Sequence, residues 1–73
     1  KADPKMAITW NNLGSANREF HLYAVANDAY NKAILLDPNS AIYYNNRGYN
    51  YFLLKQYSQA IQNFDKAIAI DGN

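Results

Sequence analysis

Few residues of this chain have side chains suited to chemistry at one place. The titratable groups near one another in sequence are Arg18, Glu19, His21 and Asp28. A carboxylate and an imidazole could work as an acid–base pair. Glu19 and His21 are two apart, however, and residues two apart do not share a helix face. The sequence has no glycine-rich phosphate loop, no nucleophile motif and no metal-ligand spacing. It has no cysteine and a single histidine, so neither a thiolate site nor a histidine cage is available. No catalytic residue, metal site or cofactor is therefore expected, and His21 reads as a solvated turn residue. What remains is amide and aromatic chemistry. Asn carries two donors and an acceptor, enough to hold a peptide backbone whatever its sequence. Tyr and Phe supply rigid apolar surface.

The elements that position these residues follow from an internal repeat. Shifted by 34 positions, Ala7-Ile8 falls on Ala41-Ile42 and Asn11-Asn12 on Asn45-Asn46. Gly14 falls on Gly48, Tyr23 on Tyr57 and Ala26 on Ala60. Lys32-Ala33-Ile34 falls on Lys66-Ala67-Ile68. Roughly a third of the overlap is identical in one ungapped register, which marks a repeat architecture. Asp3-Pro4 falls on Asp37-Pro38, so residues 1–6 read as the tail of a preceding unit, with units at 7–40 and 41–73. Lys1 in place of an initiator Met reads as a processed chain or a piece of a longer one.

Each unit reads as two helices. Asp3-Pro4 and Asp37-Pro38-Asn39 interrupt the pattern, because proline cannot continue a helix and restricts the residue before it. Between them apolar residues recur at three and four, the helical spacing. Ile8, Leu13, Ala16 and Phe20 form one set, and Ala26, Ala29, Tyr30, Ala33 and Ile34 the next. Tyr44, Gly48, Tyr51 and Leu54 form a third. Tyr57, Ala60, Ile61, Phe64, Ala67 and Ile68 form the last. Helices are expected near 6–20, 23–36, 40–54 and 57–70, with Asn39 or Ser40 as N-cap of the third. Mid-helix glycine costs up to about 1 kcal/mol against alanine, so its repetition at Gly14 and Gly48 implies close backbone approach. Ala26 and Ala60 are the expected partners across each hairpin. Tyr30 and Phe64 are expected between hairpins, and Tyr23 and Tyr57 at the turns. Asp28 and Lys32, four apart, could form a surface ion pair.

These residues resemble the tetratricopeptide repeat, whose pattern is Trp-x2-Leu-Gly-x2-Tyr, Ala-x3-Phe and Pro. The first unit reads Trp10-x2-Leu13-Gly14-x2-Asn17, Ala26-x3-Tyr30 and Pro38. The second reads Tyr44-x2-Arg47-Gly48-x2-Tyr51, Ala60-x3-Phe64 and Gly72. Asn17 departs from the pattern, Arg47 replaces its Leu and Gly72 its Pro. The resemblance covers nearly the whole chain. It implies an all-α fold, an α-solenoid of two helix-turn-helix repeats with right-handed stacking. Pentatricopeptide RNA binders are the nearest alternative, but they are more basic and have a longer period.

The resemblance also implies that the first helix of each repeat lines a concave groove for an extended peptide or a partner helix. Its groove positions fall on Ile8, Asn11, Asn12, Ser15, Arg18 and Glu19 in the first repeat. In the second they fall on Ile42, Asn45, Asn46, Tyr49, Phe52 and Leu53. The expected groove is polar at one half and aromatic at the other. A clamp for a terminal carboxylate, found in chaperone-binding members, would need Lys at the position of Asn11 and Asn at that of Ser15. Only Asn46 matches it.

Partners other than protein are not expected. A net charge of +1 gives no electrostatic footprint for nucleic acid or an acidic membrane surface. The longest apolar run, Tyr51-Phe52-Leu53-Leu54, is far short of the roughly 20 residues of a membrane span. No compartment signal is visible. A repeat cannot bury its apolar face alone, and a stack of two leaves ends to cover. Ile61, Ile68 and Ile70 are the residues expected at one such end. Self-association through the repeat ends, as a spacer or assembly unit, is the alternative to a peptide-binding groove.

Overall fold

The computed structural model describes residues 4–71 of the chain. It contains four helices: α1 (Pro4–Glu19), α2 (Tyr23–Leu36), α3 (Ala41–Leu53) and α4 (Tyr57–Asp71). Among the described residues no strand is present. The helices fall within three residues of their expected bounds. The largest difference is at the start of α1, where Pro4 opens the helix instead of preceding it. Proline fits the first helical position, because its missing N–H has no intrahelical partner there in any case. Asp3 lies outside the described residues.

Both intra-repeat turns are built alike, and neither uses glycine. His21 and Lys55, 34 positions apart, have φ of 63° and 64°. At the end of α1, Leu22 N–H reaches Asn17 O and His21 N–H reaches Arg18 O, both at 2.9 Å. At the end of α3, Gln56 N–H reaches Tyr51 O and Lys55 N–H reaches Phe52 O, again at 2.9 Å. This pair of bonds is the Schellman closure, which satisfies the last carbonyls of a helix by placing one residue in the left-handed region. The inter-repeat turn is different. Asn39 N–H bonds the Asp37 carboxylate at 3.3 Å, and Ser40 holds the N-cap place without a side-chain cap bond.

Contacts between helices define the layering. α1 packs on α2, α2 on α3 and α3 on α4. α1 also touches α3, whereas α2 and α4 do not touch. The layer of α1 and α3 is thus the tighter, and the helices curve around it. A core of Ala7, Ala33, Ile34 and Tyr43 joins the first three helices, flanked by Trp10, Leu36 and Tyr44. Burial pushes the Tyr43 phenol above its ordinary pKa, and the nearby Asp37 carboxylate adds to this.

The apolar set of α2 is buried as expected, from Ala26 to Ile34. That of α1 is not. Ile8, Leu13, Ala16 and Phe20 are exposed, and the buried stripe is Ala7, Asn11 and Gly14. The glycines do permit close approach, but to a ring instead of to an alanine. A Cβ on Gly14 would lie 2.7 Å from Cε1 of Tyr30. One on Gly48 would lie 2.9 Å from Cδ1 of Phe64. Tyr30 and Phe64 therefore seat within their own hairpins. The Asp28–Lys32 ion pair does not form among the described residues. Lys32 Nζ lies instead 5.1 Å from the centre of the Trp10 ring, and Lys66 repeats this over Tyr44 at 6.0 Å.

Candidate interaction surface

The inner layer presents one face built from α1 and α3. Residues four apart on a helix lie one above the other. Ile8 and Asn12 on α1, and Ile42, Asn45, Tyr49 and Phe52 on α3, are exposed. The expected groove residues divide into two groups. Asn12, Asn45, Tyr49 and Phe52 are exposed to solvent. Asn11, Asn46, Ser15 and Arg18 are engaged by the fold.

The engaged residues tie the two helices together. Asn11 is only 8% exposed, and its Oδ1 accepts from Asn46 Nδ2 at 2.9 Å. This bond joins α1 to α3 and draws both amides away from solvent. Ser15 Oγ and the buried Tyr30 hydroxyl are 3.0 Å apart. Arg18 lies with its guanidinium 4.9 Å from the centre of the Tyr49 ring and 6.0 Å from that of Tyr30. A guanidinium over an aromatic face is held by the ring quadrupole.

The free aromatics form a cluster. Tyr49 and Phe52 stack with centroids 6.2 Å apart and planes 15° from parallel. Tyr57, from α4, meets Phe52 edge-on at 5.6 Å and 60°. The three rings are 46%, 49% and 52% exposed. Tyr57 was expected to anchor a turn, as Tyr23 does through its 2.7 Å hydroxyl contact with His21 Nδ1. In the second repeat Lys55 stands where His21 stands in the first, and Tyr57 turns to the aromatic cluster. Helical spacing within α3 could not reveal it, because the contact crosses the turn.

Beside this cluster an open cleft of about 290 Å³ is lined by Arg18, Glu19, His21, Tyr23, Tyr49 and Leu53. It unites the end of α1, its turn, the start of α2 and one face of α3. Among the described residues no group of three His, Cys, Asp or Glu side chains could hold a metal ion. Among the described residues no helix is long and apolar enough to cross a membrane.

No curated relative matches the chain at a significant level. Family profiles do match. Two profiles of the tetratricopeptide repeat cover the chain in succession, one over residues 7–40 and the other over residues 41–73. Such repeats generally mediate protein–protein interaction and are typically non-enzymatic. With the helix pairs, the turns and the glycine–aromatic contacts in register across both units, the chain belongs to the tetratricopeptide repeat family.

Proposed function

We propose that the inner face binds an extended peptide segment of a protein partner. The observation that carries this reading is the exposed run of Tyr49, Phe52 and Tyr57, with Asn45 exposed one turn before Tyr49 on α3 and Asn12 exposed on α1. Three clustered aromatic side chains left half in water are a ready anchor, since rings lose little rotamer entropy on binding and bury large apolar areas. Ile8 and Ile42, 49% and 65% exposed, widen the apolar surface. The free asparagine amides would hold the ligand's backbone, while the Asn11–Asn46 bond keeps α1 and α3 at the right separation. The partner is a protein, the ligand a stretch of its chain, and no catalytic step is involved.

A selection of peptides from a random 12-residue library, followed by fluorescence anisotropy on the winners, tests this. Tyr49→Ser with Phe52→Ser should weaken binding at least about thirtyfold, as loss of a hot spot does. Gln62→Ala, on the exposed side of α4, should leave it unchanged. Equal affinity for both variants would reject the inner face as the binding surface.

A second reading has its own observation. Ile34 of α2 is buried, 8% exposed, whereas its repeat counterpart Ile68 of α4 is 55% exposed. The face of α2 that packs on α3 thus has an uncovered equivalent on α4, with Ile61 beside it. On this reading the chain is a spacer or assembly unit that stacks on further copies through its ends.

A further inference from the structure

We infer that copies of this chain join head to tail, with α1 of one copy seated against α3 and α4 of the copy before it, and Asn12 of the one bonded to Asn45 of the other. This rests on the second reading, in which the chain assembles through its ends, and supplies the register of the junction. The template is the interface already inside the chain. There Asn46 Nδ2 donates to Asn11 Oδ1 at 2.9 Å and ties α3 to α1. Shifted by 34 positions, Asn11 falls on Asn45 and Asn46 on Asn12. Each repeat therefore carries both halves of this bond, and one half is left over at each end of the chain. Asn12 and Asn45 are exposed, and among the described residues neither side chain has a hydrogen-bond partner. A second copy placed by the same repeat-to-repeat step brings its Asn12 to Asn45 as Asn46 is brought to Asn11.

The rest of the junction fits the same step. Inside the chain, Ile34 is buried in a core with Tyr43. At the junction Ile68 takes the place of Ile34, and Thr9 of the second copy that of Tyr43. The Thr9 hydroxyl is already turned back on Lys5 O at 2.8 Å, so covering it orphans no polar group. Three polar links of the internal interface, made by Arg47, Asn50 and Asn27, have no counterpart at the junction. Leu13, Ala16 and Ile61 stand in their places, all apolar and exposed, and exchange hydrogen bonds for apolar surface to bury. Asp65 takes the place of Asn31, whose bond to Arg47 lies at an exposed position, so its carboxylate stays at the rim. The α1 and α4 surfaces are different, so the contact is heterologous, and repeating the step extends the stack instead of closing it. In such a stack Asn12 and Asn45 hold neighbouring copies, and the aromatic run is what is left for a ligand.

Two blocked chains test the polarity. Leu13→Asp closes the α1 end and Ile68→Asp the α4 end, both at exposed positions. In sedimentation equilibrium the wild type should grow in mass with concentration, and each blocked chain alone should stay at the mass of one chain. An equimolar mixture of the two should give a 1:1 dimer and nothing larger, because it holds one intact end of each kind. Ala16→Asp and Ile61→Asp repeat the experiment at neighbouring positions, and circular dichroism checks the helices of every variant. The register is read in the same mixture. Asn12→Ala goes into the Ile68→Asp chain and Asn45→Ala into the Leu13→Asp chain. Either should weaken the dimer about two- to tenfold, and the two together little more than one alone. No loss from either, or losses that add, overturns the register. Growth that survives in the Leu13→Asp chain, or a mixture of folded chains that forms no dimer, overturns the head-to-tail junction and leaves self-association by another face. A wild type that never exceeds the mass of one chain overturns the assembly reading and this inference together.

Discussion

At the scale of single residues, the two intra-repeat turns carry a strain that the sequence could relieve. Both Lys55 and His21 hold φ near 63°, a region costing an L-residue with a Cβ roughly 1–2 kcal/mol. Glycine at this place in a Schellman closure avoids that clash but adds entropy to the unfolded chain. The His21 side chain meets the Tyr23 hydroxyl through Nδ1 at 2.7 Å, a contact that glycine would lose. Lys55 is exposed and does not line the cleft. Lys55→Gly should therefore stabilise the fold by roughly 0.5–1 kcal/mol, raising Tm by several degrees in a domain this small. A thermal melt that moves downward would mean that the lysine side chain contributes more than its backbone strain costs. The opposite economy rules at Gly14, where the buried Tyr30 ring occupies the space a Cβ would need.

At the scale of helices, the second repeat is joined by a polar strut absent from the first. Arg47 of α3 donates from Nε to Asn63 of α4 at 2.7 Å and from Nη1 to Asn31 of α2 at 2.9 Å. Asn63 is buried and gives its own amide hydrogens to Gln59 O. The corresponding first-repeat residues are Leu13 and Ala29, an apolar pair. Arg47→Leu alone should destabilise by about 1–3 kcal/mol, because it leaves a buried acceptor unsatisfied. Adding Asn63→Ala should restore much of that loss, since removing both partners of a buried hydrogen bond is far less costly than removing one. Urea denaturation of Arg47→Leu, Asn63→Ala and the double variant gives the coupling, and simple additivity would refute a shared strut. The same residues show what a sequence reveals and conceals. Ala26, Ala29, Tyr30, Ala33 and Ile34 announced the buried face of α2, because the residues that face inward there are all apolar. On α1 the inward positions hold Asn11 and Gly14, while Leu13 and Phe20 face out, so apolar spacing pointed to the wrong side. Asn50 and Asn63, also buried, were hidden for the same reason. Position within the repeat indicated Asn12, Asn45, Tyr49 and Phe52 as surface residues. It could not indicate the cleft, whose walls meet only after three helices and a turn have packed.

At the scale of the whole molecule, the internal packing supplies its own measure of what a repeat end can do. Between the repeats, α2 meets α3 through Asn27 Nδ2 to the Tyr51 hydroxyl at 3.4 Å and Asn50 Nδ2 to Tyr23 O at 2.8 Å. Ile34 is buried at the same interface. Moved by one repeat, the α2 face becomes Tyr57, Ile61 and Ile68 on α4, where Ile61 replaces the polar Asn27. The α4 face is therefore more apolar than the one already paired, and a second copy could meet it with α1. The α1 positions that correspond to Arg47 and Asn50 are Leu13 and Ala16, both exposed and apolar. Burying an isoleucine side chain contributes roughly 1.5–3 kcal/mol, so a few such contacts suffice for association at high concentration. Sedimentation equilibrium over a hundredfold range of concentration should show growth in mass for the wild type. Ile68→Asp should abolish that growth, because an unpaired carboxylate resists burial. Ile68 lies outside the exposed aromatic run, so peptide binding should survive the substitution. If the mass stays at one chain throughout, stacking between copies is excluded and the inner face remains the surface to which function must be assigned. If the chain does assemble, the two readings separate on Tyr49→Ser with Phe52→Ser, which should leave assembly intact while removing the peptide.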